Sequence, residues 1–105
     1  MNKENELDFL IIWRYKVRSE YIELFELEYG NNGAWVRLFN ESPDYRGSFL
    51  YKDSNLSDTY VVIDCWKDEL SYLIFYKLIE DIYSKMNRRF ANIYLSEEKI
   101  GNLKK

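Results

Sequence analysis

The spacing of apolar residues changes at Trp66, and this change predicts a strand that runs directly into a helix. Thr59 to Trp66 is a short run of β-branched and aromatic residues, which is typical of a strand covered on both faces. Asp68 follows in a position to cap the free N–H groups of a helix from Glu69 to about Asn87. A stripe at helical spacing predicts the buried face of that helix: Leu70, Leu73, Ile74, Leu78 and Ile82.

The first apolar segment, Phe9 to Val17, alternates with a period of two and predicts another strand. Its more apolar face, expected to lie under helices, carries Phe9, Ile11, Trp13, Tyr15 and Val17. Residues 1–7 form a polar tail before it.

Further elements are predicted from helical spacing and from turn residues. In chain order they are a helix over Glu20–Tyr29 with Ser19 as its N-cap, a short helix over Ala34–Asn40, a strand over Gly47–Lys52, a segment Arg88–Leu95 that continues the long helix or bends away from it at a kink, a turn at Ser96–Lys99, and a short edge strand over Ile100–Leu103.

Strand, helix, strand, strand, helix, strand is the order of a ferredoxin-like α+β sandwich, with a four-stranded antiparallel sheet and helices on one face. Residues 1–105 therefore form a single domain. No element is left to cover the second sheet face. A second copy of the chain is the simplest cover, which predicts a homodimer whose two sheets face each other.

Composition narrows the possible functions. Aromatic residues make up 18% of the 105 residues, more than so small a core requires, so some are expected in a ligand cavity or an interface, with surface tyrosines as the alternative. A net charge of −3 without a basic face argues against nucleic-acid binding. The chain has no apolar run long enough to cross a membrane and no secretory signal.

The chain contains one cysteine and no histidine. Cys65 cannot form an intrachain disulfide, which fits a cytoplasmic protein, and its default role is that of a buried apolar residue. The missing histidine excludes Ser-His-Asp and Cys-His catalysis, His-ligated haem iron and two-His metal sites.

Asp64 interrupts the apolar strand and has the same parity as Trp66, so both are expected to point towards the helices. An unpaired carboxylate there would be costly and would have a raised pKa. Asp64 is therefore a general base that removes a phenolic proton, or a structural group paired with a backbone N–H or an arginine. The arginine candidates are Arg14, Arg37 and Arg46.

Trp13 and Trp66 have two interpretations as well: an aromatic slot for a flat substrate, or ordinary core residues. On the functional reading, Asp64 and Trp66 are the candidate catalytic residues. The candidate substrate contacts are Trp13, Tyr15, Trp35 and Phe75.

Several segments together resemble the antibiotic biosynthesis monooxygenase-like family, over about residues 9 to 103. The segments are Ile-Ile-Trp-Arg-Tyr-Lys-Val at 11–17, Gly-Ala-Trp-Val-Arg-Leu-Phe at 33–39, Ser-Pro-Asp-Tyr-Arg-Gly at 42–47, Tyr-Val-Val-Ile-Asp-Cys-Trp-Lys-Asp at 60–68 leading to Phe75, and Leu-Ser-Glu-Glu-Lys-Ile-Gly at 95–101. The resemblance implies a dimeric α+β barrel.

The resemblance also implies oxidation of aromatic or quinol-type substrates by O2 without a metal or an added cofactor. A related branch degrades haem with an Asn on the first strand, a Trp ending the third and a His on the second helix. Here these positions hold Trp13, Trp66 and no histidine, which argues against haem degradation. Two functions stay open: a cofactor-independent monooxygenase, or a non-enzymatic dimeric barrel that binds a small apolar ligand or serves as an accessory protein.

Overall fold

The computed structural model describes residues 9–105, and the polar tail predicted for residues 1–7 lies outside this range. Four strands form one antiparallel sheet in the order β2-β3-β1-β4. The strands are β1 (Phe9–Val17), β2 (Tyr45–Lys52), β3 (Thr59–Trp66) and β4 (Tyr94–Lys104); the helices are α1 (Ile22–Glu28), α2 (Ala34–Phe39), α3 (Glu69–Leu78) and α4 (Glu80–Phe90). The predicted ferredoxin-like α+β fold is confirmed.

All four helices pack on one face of the sheet. The predicted inward face of β1 is confirmed, since Tyr15 contacts Phe25 of α1 and Phe9 contacts Tyr72 of α3. The core lies between these two layers and is strongly aromatic. Cys65 is buried with a raised pKa, as expected for an inert thiol.

The opposite sheet face is open in the described chain. Phe49 and Tyr51 of β2 are 46% and 56% exposed, and Val61 and Ile63 of β3 are only partly buried. The prediction that β3 is covered on both faces is therefore wrong for the isolated chain, because all four helices pack on the other side.

The prediction for the long helix is correct in its start but wrong in its continuity and in its buried face. The kink expected at Arg88–Leu95 lies instead at Ile79, and α4 continues to Phe90 before a 3-10 turn, Ala91–Ile93. Asp68 caps α3 by accepting a hydrogen bond from the backbone N–H of Ser71, and the helix breaks at Ile79. The predicted stripe is exposed, with side-chain exposures of 50% to 78%. The inward residues have the same period but a different phase, and they are mostly aromatic: Tyr72, Phe75, Ile79, Tyr83, Met86 and Phe90.

Three other predictions on local structure are corrected. Ser19 caps nothing; it begins a 3-10 turn, Ser19–Tyr21, that precedes α1. The Ser96–Lys99 turn and short last strand are one strand of 11 residues, β4, because pairing with β1 extends along its length. β2 begins at Tyr45 instead of Gly47 and contains a register shift between these residues.

Candidate active site

Asp64 lies at the centre of the sheet and faces the helices. In the register it stands between Ile11 of β1 and Ser48 of β2, and it is buried. The Ser48 hydroxyl donates a hydrogen bond to Asp64 Oδ1 at 2.6 Å. A carboxylate in an apolar core without a cation is uncommon.

Burial raises the pKa of Asp64 from 3.8 to about 6, because the ionised form loses its hydration. Hydrogen bonds from Ser48 and from the Trp13 indole act in the opposite direction. None of the three candidate arginines pairs with it: Arg14 bonds Glu98, Arg37 bonds the Asn32 carbonyl and Arg46 bonds the Pro43 carbonyl. The arginine partner considered from the sequence is therefore excluded.

Asp64 borders a small inner pocket between the sheet and the helices. Half of its twelve lining residues are aromatic: Trp13, Tyr15, Tyr29, Trp35, Val36, Phe39, Ser48, Val62, Asp64, Tyr83, Asn87 and Glu97. The space available to the centres of water-sized molecules is about 20 Å³, which suits roughly one water or a group of similar size. The inner pocket therefore admits the edge of a ligand and not a whole polycycle.

A larger outer groove adjoins the inner pocket. The two share Trp13, Tyr83, Asn87 and Glu97, and the groove offers about 420 Å³ by the same measure. This is within the range of small-molecule sites. Its other lining residues are Phe9, Glu69, Tyr72, Leu73, Tyr76, Lys99 and Asn102. A flat ligand in the groove could thus direct one substituent towards Asp64.

Several polar groups at the rim of the site contact neighbouring side chains. Tyr15 donates to Glu97 Oε2 at 2.7 Å, and burial is the main cause of the raised pKa of its phenol. Lys99 lies over the Trp13 ring, with Nζ 5.3 Å from the centroid. Burial raises the pKa of Tyr72 to about 12, so the phenols around the site are neutral near neutral pH.

The structure brings together four of the six candidate site residues: Trp13, Tyr15, Trp35 and Asp64 all line the inner pocket. Trp66 does not line it. Trp66 is fully buried among the rings of Phe39, Tyr45, Tyr72 and Phe75. Phe75 lines a separate groove of about 480 Å³ together with Pro43 and Ile79.

Sequence reasoning missed Ser48, Asn87 and Glu97 as site residues. Asn87 had a detectable signal, since a polar side chain interrupts the inward face of α4. Ser48 and Glu97 had none, because their orientation depends on the register shift in β2 and on the pairing of β4. Among residues 9–105, no three His, Cys, Asp or Glu side chains are arranged to hold a metal ion.

No family model matches the chain, and no curated protein matches its sequence. Among solved structures, SnoaB of Streptomyces nogalater, a cofactor-independent oxygenase, is 14% identical over 95% of this chain and 94% of its own, with a TM-score of 0.68. The chain therefore has the same fold as SnoaB.

Two further structures carry the antibiotic biosynthesis monooxygenase name. The one from Bordetella bronchiseptica has a TM-score of 0.72 and is 14% identical over 95% of this chain and 98% of its own. The one from Nitrosomonas europaea has a TM-score of 0.68 and is 10% identical over 94% and 90%. The resemblance noted in the sequence is confirmed at the level of the fold.

In the described part of the chain, no helix is long and apolar enough to cross a bilayer.

Proposed function

We propose that this protein is a cofactor-independent monooxygenase that acts on an aromatic or quinol-type small molecule, with Asp64 as its general base. The observation that carries the proposal is a buried carboxylate with a pKa of about 6 and no cation partner, placed at the inner end of an aromatic site. A base is most effective when its pKa lies near the working pH. The cofactor-independent oxygenase SnoaB has the same fold, which supports this reaction class.

In the proposed reaction the substrate ring lies in the outer groove against Trp13, Tyr72 and Tyr83, and one hydroxyl enters the inner pocket. Asp64 takes the hydroxyl proton. The resulting anion is electron-rich and gives electrons to O2. An anthrone-like substrate reacts as its enol, whose hydroxyl carries one of the two hydrogens of the methylene carbon. One oxygen atom of O2 becomes the new carbonyl on that carbon, and the other leaves as water with the remaining hydrogen and the proton returned by Asp64.

Oxygen uptake by the purified protein tests the proposal, using a panel of anthrone-like and hydroquinone substrates. We expect uptake by the wild type and its loss in Asp64→Asn, with the fold verified by circular dichroism. Asp81→Asn removes an exposed carboxylate of α4 and should keep full activity. Uptake that is equal in Asp64→Asn and wild type would exclude Asp64 as the base.

The alternative is a non-enzymatic barrel that binds a small apolar ligand, and the small inner pocket of about 20 Å³ favours it. Because Trp13 and Trp35 line that pocket, binding should quench tryptophan fluorescence. Quenching by the same panel without oxygen uptake, and unchanged in Asp64→Asn, would support the alternative.

A further inference from the structure

A short chain of hydroxyl groups leads from Asp64 into the aromatic core. Ser48 donates to Asp64 Oδ1 at 2.6 Å, and the hydroxyl of Tyr45 is hydrogen-bonded to Ser48 Oγ. The Ser48 proton is directed at Asp64, so in the ionised state Tyr45 is the donor to Ser48. The chain thus runs Tyr45 to Ser48 to Asp64, and each bond polarises the next.

A bulge in β2 makes this chain possible. Residues three apart in a regular strand point to opposite faces, yet Tyr45 and Ser48 both face the helices. The register shifts between Tyr45 and Gly47, which pair with Trp66 and Cys65 of β3. Gly47 has φ +113°, a conformation that side chains with a Cβ rarely adopt. Bulges of this kind often redirect a side chain beside a functional site.

Burial penalises the ionised form of Asp64, and hydrogen bonds offset part of that cost. The groups that hydrogen-bond to Asp64 or interact with its charge are Trp13 and Tyr15 from β1, Tyr45 and Ser48 from β2, Tyr72 from α3, Tyr83 from α4, and Cys65, its neighbour on β3, whose side chain points to the opposite sheet face. The phenols and the thiol among them have raised pKa values and are neutral when Asp64 titrates. Glu97 of β4 lines the same pocket. Among residues 9–105, Ser48 and Trp13 are the groups that favour the ionised form of Asp64.

We propose that Ser48 and Tyr45 are positioning residues that fix the Asp64 carboxylate and tune its basicity through this hydroxyl chain. The inference rests on the proposed function for its purpose, because a tuned base is useful only to a reaction that needs one. The tuning itself is a property of the free protein. The tuning can therefore be measured without a substrate. A negative result in that measurement is distinguishable from the absence of the proposed enzymatic activity.

The test is the titration of Asp64 by ¹³C NMR of Asp-labelled, ligand-free protein, with its carboxyl signal assigned by Asp64→Asn. Ser48→Ala should raise the pKa of Asp64 from about 6 to about 7, since one hydrogen bond to an ionised group corresponds to roughly one pH unit. Tyr45→Phe keeps the ring and should raise the pKa by a smaller amount. Ser48→Thr keeps the hydroxyl and should restore the wild-type value.

Tyr51→Phe is the matched control, because Tyr51 lies on the open face of the same strand. It should leave the titration unchanged. An unaltered pKa of Asp64 in Ser48→Ala, or in Tyr45→Phe if the serine variant does not fold, would overturn the proposal. So would a raised pKa in Ser48→Thr that equals that of Ser48→Ala. If a substrate is found, the acid limb of kcat/KM should move with the NMR values.

Discussion

At the residue scale, burial of Asp64 lowers the stability of the fold and also raises the pKa of the carboxyl to a value that suits its proposed role as a base. Its pKa in the folded protein, about 6, exceeds the ordinary 3.8. Between these two values the folded state binds more protons than the unfolded state, so the free energy of unfolding falls as the pH rises through this window. Above about pH 6 Asp64 is ionised in the folded and the unfolded state, and its burial then lowers the free energy of unfolding by about 3 kcal/mol.

Asp64→Asn should therefore be more stable than wild type at neutral pH, by about 1–3 kcal/mol. The gain should shrink as the pH falls from about 6 towards 4, where Asp64 of the wild type becomes protonated. Urea denaturation at both ends of the window measures this difference. Asp81→Asn should show no such pH-dependent gain, and equal stability of Asp64→Asn and wild type at both ends would contradict the burial argument.

Trp66 is the second residue whose replacement should change the free energy of unfolding by a large amount. It is completely buried and contacts four aromatic rings, so Trp66→Ala should cost about 3–5 kcal/mol of unfolding free energy. Trp13 is only partly buried, and Trp13→Ala should cost clearly less. Urea titration of both variants gives the comparison. Equal losses would mean that Trp13 is as much a core residue as Trp66.

At the element scale, α3 has apolar residues on both its inner and its outer surface. The inner phase brings Tyr72, Phe75 and Ile79 to the sheet, while Leu70 and Leu78 are 66% and 78% exposed. Both phases have the helical period, so periodicity alone does not choose between them. The helix is oriented by its packing on the sheet, where the large rings of its inner surface contact Phe9 and Trp66.

Leu78→Gln should accordingly change the free energy of unfolding by no more than about 0.5 kcal/mol. Phe75→Ala removes a buried ring from the same helix and should cost about 3–5 kcal/mol. Chemical denaturation of the two variants tests the assignment of the two faces. A loss in Leu78→Gln comparable to that in Phe75→Ala would show that the outer face is covered in solution.

At the scale of the whole molecule, one face of the sheet is uncovered in the described chain. Phe49, Tyr51, Val61 and Ile63 form an apolar surface on β2 and β3, and a patch of this kind marks an interaction surface. We propose that a second copy of the chain covers it, as expected from the sequence.

Light scattering should then give twice the 12.8 kDa mass of one chain. Phe49→Glu places a charge in the centre of the proposed interface and should produce a monomer. Leu70→Glu adds the same charge on the outer surface of α3 and should leave the dimer intact. A stable monomer of the wild-type protein would exclude the dimeric barrel.

The sequence alone determined the order of the elements and the faces that β1 and α2 turn to the core, because side-chain alternation and helical period are local properties of the chain. The positions of β1, β3, α2 and the Asp68 cap, and the placing of Asp64 on the helix side of the sheet, all followed from spacing. The α+β fold class was also predictable from the sequence, because it follows from the order of strands and helices along the chain.

Only the tertiary structure decided what surrounds Asp64. The bulge at Gly47 turns Tyr45 and Ser48 to one side, the pairing of β4 along β1 brings Glu97 to Tyr15, and the phase of α3 buries Trp66 away from the pocket. Each depends on contacts between residues far apart in the chain. Such contacts are set by how the layers fit together, and a local pattern of apolar and polar residues does not contain that information.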